Sequence, residues 1–288
     1  MSAKFPIISV TGSSGAGTTT ASNIFSHIFA DEGINAGMIQ GDSFHKYTRK
    51  EMSRLAAKGH YGEWNHFSLD ANHVDKLEAL FQDYAATGTG RYRQYVHDDD
   101  YDLTRDGWAP GTFTPWMDLP NNTDVLFYEG LHGGIMTEQV NIASHVDLLI
   151  GVAPIVNLEW IQKIYRDTQS RGYSQEAVVN TIVNRMDDYV RYIVPQFSNT
   201  HINFQRVPTV DTSNPFVMRE VPSDDESMVV IHFRQYSEVD FPYLLQMISG
   251  SFVSRQDTLV IPGNKMPLAM DLIIRPRVKE LMAHRIYG

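Results

Sequence analysis

The chain predicts an α/β fold, a mixed central sheet flanked by helices with a small antiparallel β extension toward the C-terminal end. Three observations predict it. Apolar strand-like runs alternate with helical stretches through most of the chain, as expected of parallel strands joined by helices. The first such run passes directly into a glycine-rich loop, Gly12–Thr20 (GSSGAGTTT), and then into a helix. Beyond Asn203 the strand-like runs shorten and crowd together, as in an antiparallel segment. Apolar residues make up 42% of the 288, enough to bury a sizeable core, and no repeat or linker divides the chain, so 1–288 reads as one domain.

Each element has a local reason. Phe5–Thr11 is apolar and β-branched, a buried strand. The helix after the glycine loop runs to about Ala30 and stops at Gly33. Met38–Gln40 is a short strand ending at Gly41 and Asp42. Thr48 to Glu51 (TRKE) is a capping box, in which each side chain bonds the other residue's backbone N–H, so a helix opens there. Another helix covers roughly Asn72–Tyr84 and stops before Thr87 to Gly90 (TGTG). Val125–Tyr128 is a strand ending at Glu129, and Val146–Val152 is one ending near Pro154. Asn157 is the expected N-cap of a helix to Ser170; Gly172 ends it, and Ser174 caps a long helix to about Ile193. Met228–Phe233, Ser251–Ser254 and Thr258–Ile261 are the strands of the extension. A last helix covers Ile273 to about His284, beginning near Pro267 and disturbed by Pro276.

Composition excludes several function classes. A net charge of −10 argues against nucleic-acid or acidic-membrane partners, which require a basic surface. The absence of cysteine excludes disulfides, thiolate metal sites and a cysteine nucleophile. No apolar run approaches the ~20 residues of a membrane span, and the N-terminal apolar stretch is too short for a secretion signal, so a cytoplasmic protein is expected.

The glycine loop fits the phosphate-binding pattern G-x-x-x-x-G-K-[ST], except that Thr18 stands in the lysine position. Gly12, Ser13, Ser14, Gly15, Ala16, Gly17, Thr18, Thr19 and Thr20 are therefore candidate nucleotide contacts. Small residues let backbone N–H groups surround phosphate oxygens, and the helix N-terminus adds its positive dipole end. Thr19 is placed to ligate Mg²⁺, which makes ATP and Mg²⁺ the expected cofactors and a nucleotide- or nucleoside-kinase-like P-loop NTPase the expected fold. The guanine-reading N-K-x-D is absent, because Asn264 and Lys265 are followed by Met266 and Pro267. Ligands of open α/β sheets sit beyond the carboxyl ends of strands, where Asp42 and Glu129 both fall. Glu129 ends an apolar strand in the manner of a Walker-B metal acid. Asp42 is the candidate base for an acceptor hydroxyl. His45 and Arg49 follow it at spacings that share one face if the stretch is helical.

The cation that Thr18 lacks has a candidate source in the helix from Asn157. Leu158, Trp160, Ile161, Ile164 and Tyr165 fall on one side, and Lys163, Arg166 and Asp167 on the other, with Arg171 just beyond. Two readings are open: a mobile lid bringing charge to the nucleotide, or a surface helix with an internal Lys163–Asp167 ion pair. The basic-aromatic stretch Arg91–His97 (RYRQYVH) either contacts a phosphate, lines a subunit contact or is an exposed β-ribbon. His132, in EGLHGG, reads as readily as a packed, hydrogen-bonded histidine as a functional one.

Together these residues resemble the bacterial-type (class I) phosphoribulokinases. The resemblance is carried, in order and over nearly the whole chain, by GSSGAGTTT, GDSFHKYTR, YVHDD, LFYEGLHGG, NLEWIQKIYRD with RGY, PQFS, INFQRVP, VDTSNPF and IPGNK. The lysine-free loop is itself a habit of that family. The resemblance implies transfer of the ATP γ-phosphoryl to O1 of ribulose 5-phosphate, the step that feeds carbon fixation. By position it implies Asp42 as catalytic base, with Lys163, Arg166 and Asp167 also catalytic. Thr19, Glu129 and Asp167 would hold the metal. His45, Arg49, Tyr95, His97, Arg171 and Arg185 would contact the sugar phosphate. It also implies a homo-oligomer, commonly an octamer. Three departures stand out: Ala30-Asp31 and His232 replace arginines of NADH-activated members, Asn184 breaks an expected arginine pair, and thioredoxin control is excluded without cysteine. Other activities consistent with the residues are a kinase for uridine, pantothenate or a related sugar phosphate, and a non-catalytic nucleotide sensor.

Overall fold

A computed structural model describes residues 4–13, 17–58, 64–218 and 220–287. Its first strand, β1 (Ile7–Thr11), is buried along its whole length, as a run apolar on both faces requires. The chain continues through α1 (Thr18–Asp31), β2 (Ala36–Gln40), a 3₁₀ turn (Gly41–Phe44), α2 (Arg49–Lys58) and α3 (Val74–Thr87). A small excursion follows: β3 (Arg91–Tyr92), α4 (Tyr101–Arg105) and β4 (Met117–Asp118). The sheet is rejoined by β5 (Val125–Gly130) and β6 (Leu148–Pro154), then covered by α5 (Val156–Gln169), α6 (Gln175–Asn184) and α7 (Met186–Asp188). The remainder comprises β7 (Ile202–Pro208), β8 (Ser227–Phe233), α8 (Phe241–Met247), β9 (Phe252–Arg255), β10 (Thr258–Pro262) and α9 (Met266–Tyr287).

Eight strands form one sheet in the order β2-β5-β1-β6-β7-β8-β10-β9. The pairings from β2 to β7 are parallel, and those from β7 to β9 are antiparallel. The expected extension is thus continuous with the parallel sheet, while β3 and β4 form a separate ribbon. Alternation along β5 serves both faces. Val125 and Phe127 join α1 and α9 through Phe25, Phe29 and Ile274; Leu126 and Tyr128 join α3 through Leu77, Phe81 and Tyr84.

Several boundaries differ from the sequence reading. The capping box is present, with Thr48 N donating to Glu51 at 2.9 Å and Glu51 N to Thr48 at 3.3 Å. Asp42, His45 and Arg49 do not share one helix: a 3₁₀ turn carries Asp42, His45 pairs with Asn72 as an isolated bridge, and Arg49 opens α2. Ile155, not Asn157, caps α5, because the Asn157 amide is drawn to the Thr212 carbonyl at 2.9 Å. The expected long helix breaks at Arg185 and continues as a π-helical turn over Tyr189–Ile193. Neither β7 nor α8 is anticipated; β7 interleaves Asn203, Gln205 and Arg206 with its buried positions, which masks its periodicity. The last helix starts at Met266 and runs through Pro276.

Candidate active site

The site lies beyond the carboxyl ends of β1, β2, β5 and β6, where ligands of open α/β sheets bind. At its floor, the Gly12 N–H donates to the Gly130 carbonyl at 3.3 Å. A side chain at Gly12 would collide with the Val152 carbonyl and meet the Thr18 methyl at 2.6 Å, so glycine is required there. Gly17 takes the left-handed conformation (φ 99°) that starts α1 and supplies no side-chain cap, leaving the first-turn N–H groups to a ligand. Ser13 is buried beneath the loop. Thr20 lines a cleft with Gly17, Val152, Gln162, Arg206 and Met266. Ser14, Gly15 and Ala16 lie outside the described residues, as does the side chain of Thr19, whose backbone is in the first turn of α1. The Thr18 hydroxyl, in the lysine position, donates to Glu129.

Parallel pairing explains how two acids meet. Gln40 and Glu129 are partners in the β2–β5 register, which sets Asp42 just beyond Glu129. The strands can close this tightly because Gly41 and Gly130 face each other; a Cβ on Gly41 would stand 2.8 Å from the Gly130 Cα. Burial raises the Glu129 pKa, the Thr18 hydroxyl opposes that rise, and the Asp42 charge adds to it. Asp42 remains partly open, with His45 Nε2 at 3.5 Å and His97 Nε2 at 3.9 Å.

Around Asp42 stands a wall of imidazoles. His45 stacks on His66 with ring centroids 3.9 Å apart. Burial holds the pKa of each down to about 3, so both are neutral rings rather than cations. His132 is packed below them, at about 4 for the same reason, and its Nε2–H donates to the Phe67 carbonyl at 3.0 Å. Tyr95 meets His97 and His45 edge to face. Arg49 pairs with Asp98 at 2.9 Å. Arg93, which sequence reading did not single out, stacks on Phe113 and bonds the Ser43 and His45 carbonyls, clamping the loop that carries Asp42. Its only sequence signal is the basic-aromatic stretch.

The cations of α5 are not on an outer face. Lys163 and Asp167 are buried on the inner side of the helix, while Tyr165 is exposed. Lys163 Nζ lies 2.5 Å from Asp167, and Arg166 and Arg171 reach the other carboxylate oxygen at 2.9 and 3.2 Å. The ion-pair reading of this helix therefore holds for the pair but not for a surface setting. Burial, then the Arg185 charge, lowers the Lys163 pKa to about 8. Burial likewise brings Arg185 to about 10, with its guanidinium over the Phe67 ring at 4.2 Å. Glu159, also missed from sequence, is buried one turn before Lys163 and accepts from Tyr189 at 2.9 Å and from Ser13. Asp31 is paired with Arg275 at 3.0 Å.

Among the described residues no group of three or more His, Asp or Glu is placed to hold a metal ion, and no helix is long and apolar enough to cross a membrane.

Comparison with known proteins extends this geometry. Residues 7–213 match the phosphoribulokinase/uridine kinase family. A probable phosphoribulokinase of Escherichia coli K12 is 57% identical, with 98% of each chain covered. The chromosomal phosphoribulokinase of Cupriavidus necator is 55% identical, over 99% of this chain and 98% of its own. Among solved structures, the phosphoribulokinase of Rhodobacter spheroides superposes with a TM-score of 0.89 at 50% identity, covering 98% of this chain and 99% of that one.

Proposed function

The chain belongs to the phosphoribulokinase/uridine kinase family, and from that premise we infer that it transfers the γ-phosphoryl group of ATP to O1 of D-ribulose 5-phosphate, giving ribulose 1,5-bisphosphate and ADP. The observation that carries this reading is whole-chain identity above one half to relatives named phosphoribulokinase, joined to a phosphate loop with carboxylates at the ends of the adjacent strand β5 and of β2 beyond it. An alcohol phosphotransferase needs little covalent help; it needs positioned charge and a base.

Asp42 takes the base role. It is open to substrate at the strand ends, and the clamped loop holds it still. As the O1–phosphorus bond forms, the O1 proton passes to Asp42, while the bond from the γ-phosphorus to its bridging oxygen breaks and ADP keeps the electron pair. His45 and His97 orient the sugar as hydrogen-bond donors beside that carboxylate. Arg49, Tyr95, Arg171 and Arg185 complete the sugar-phosphate contacts, a role consistent with the path of Arg49 and Arg171 to the same Asp98 field. Gly12 to Thr20 grip the ATP phosphates, and the cleft past Gly17 and Thr20 takes the base.

Mg²⁺ fits this donor set. Glu129 is a half-buried carboxylate whose pKa desolvation raises, with the Thr18 hydroxyl donating to it, and Mg²⁺ sites of this kind use one or two protein oxygens plus substrate phosphates. Thr19 and Glu129 would hold the ion, which would supply positive charge to offset that of the ATP phosphates. Both oxygens of Asp167 already receive cation donors, which leaves it to hold Lys163, Arg166 and Arg171 in place for the transferring phosphoryl group. We place the enzyme in the cytoplasm as a homo-oligomer, an octamer by resemblance. A coupled ADP-release assay tests the substrate: ribulose 5-phosphate supports turnover, while uridine, pantothenate and buffer do not. Turnover no faster with the sugar than without it would overturn the assignment.

A further inference from the structure

The phosphate loop and the buried cations are joined by one carboxylate that no step so far requires. Glu159, Lys163 and Asp167 recur every four residues along α5, so they form one inward stripe. At its head, Glu159 Oε2 accepts the Tyr189 hydroxyl at 2.9 Å, and the same carboxylate accepts from Ser13 of the phosphate loop. On its other side it faces the charges of Lys163 and Arg185. Tyr189 is the first residue of the π-helical turn, a distortion that inserts an extra residue and is common at working sites. The segment that follows is tied back to the same floor: Gln196 accepts from Thr11 at 2.9 Å and from the Gly134 N–H at 2.9 Å, and donates to the Leu131 carbonyl at 2.8 Å. The π turn therefore ends in two anchors, one on the end of β1 and one on Glu159.

We propose that Glu159 is a positioning residue for phosphoryl transfer, coupling the phosphate loop to the cations of α5 so that both are set by one carboxylate fixed through Tyr189. A buried carboxylate with this many partners is not there to gain stability, since a well-packed apolar group would serve as well or better. What it supplies is one acceptor, held by Tyr189, between the phosphate loop at Ser13 and the cations of α5. The groups facing Lys163 are Asp167, Arg166 and Glu159 on its own helix and Arg185 from the α6–α7 junction, with Arg171 reaching Asp167. Two of the three arginines bear directly on Lys163, and the carboxylates of Asp167 and Glu159 face them. Neutral glutamine preserves the shape of Glu159 and removes its carboxylate.

Given the phosphoryl-transfer reading, on which this role rests, the wild-type enzyme is assayed first with ribulose 5-phosphate; inactivity there sinks that reading and leaves Glu159 unjudged only until the cognate acceptor is assayed in its place. With an active wild type, E159Q lowers kcat by about 10- to 100-fold, the range for a lost charged partner, with little change in the sugar KM. The carboxylate-keeping variant E159D recovers part of that loss. A merely structural role would lower the melting temperature while leaving kcat of the folded enzyme near wild type. Wild-type kcat in E159Q, or a sugar KM that rises while kcat holds, overturns the proposal. Should E159Q fail to fold, Y189F decides: it keeps the carboxylate and removes its anchor, so kcat falls with the sugar KM little changed, and unchanged kcat overturns the role.

Discussion

Asp42 differs from the other acids of the site in being both open and held. Its loop is tied down by Arg93 through two carbonyls, so the carboxylate is offered to substrate without wandering. Asp42→Asn keeps the geometry and removes the proton acceptor. It is expected to lower kcat by about 10²- to 10⁴-fold, the range for a general base, while ADP affinity measured by titration calorimetry stays near wild type. Lys163 is the counterpart on the charge side. Lys163→Met removes a desolvated cation and should cost about 10²- to 10³-fold in kcat. Adding Thr18→Lys to that variant returns a cation to the loop beside Glu129 and recovers part of the loss; no recovery in steady-state kinetics would remove charge replacement from the account.

On the scale of elements, α5 decides how the site is built. Its inner stripe is charged yet almost wholly buried, and Asp167 binds three cations at once. Breaking such a centre strands like charges in a low-dielectric setting. Asp167→Asn is therefore expected to lower the unfolding free energy by about 3 kcal/mol, read from the urea midpoint at unchanged m-value. The same stripe shows where sequence stops being legible. Hydropathy places Trp160 and Tyr165 inside and Lys163 outside, because it scores each residue alone. A lysine and an aspartate that neutralise each other can be buried together, and no periodicity of apolar residues reports that. By contrast, the Thr48–Glu51 cap, the strand ending at Glu129 and the glycine loop all follow from local chemistry and are read directly. At the break of the long helix, Arg185 turns inward over Phe67 and toward Glu159, residues distant in sequence, so this packing is invisible until the chain is folded.

For the molecule as a whole, the imidazole wall sets the response to acid. His45, His66 and His132 fold with pKa values of about 3, 3 and 4, below the ~6.5 of an unfolded histidine. The unfolded chain therefore binds more protons than the folded one below that value. Their contribution is fully present above pH ~6.5 and is lost as pH falls, by roughly 1.4 kcal/mol per histidine per pH unit. The melting temperature should drop steeply between pH 7 and 5, and His132→Gln should shallow that slope; a flat profile in the wild type would contradict the burial of these rings.

The cleft beside the phosphate loop has one more consequence. Its walls come from Gly17 and Thr20 near the beginning of the chain, Val152 and Gln162 in the middle, and Gly263, Met266 and Pro267 near the end. Those last residues lie outside the span 7–213 that matches the family. A nucleotide seated there would act as a non-covalent cross-link between the first helix and the last, and so would reinforce the cooperative unit rather than one loop. Nucleotide capture should therefore emerge late in refolding, after α9 has docked, and a chain released before its final helix is made would have a phosphate grip without that wall of the cleft.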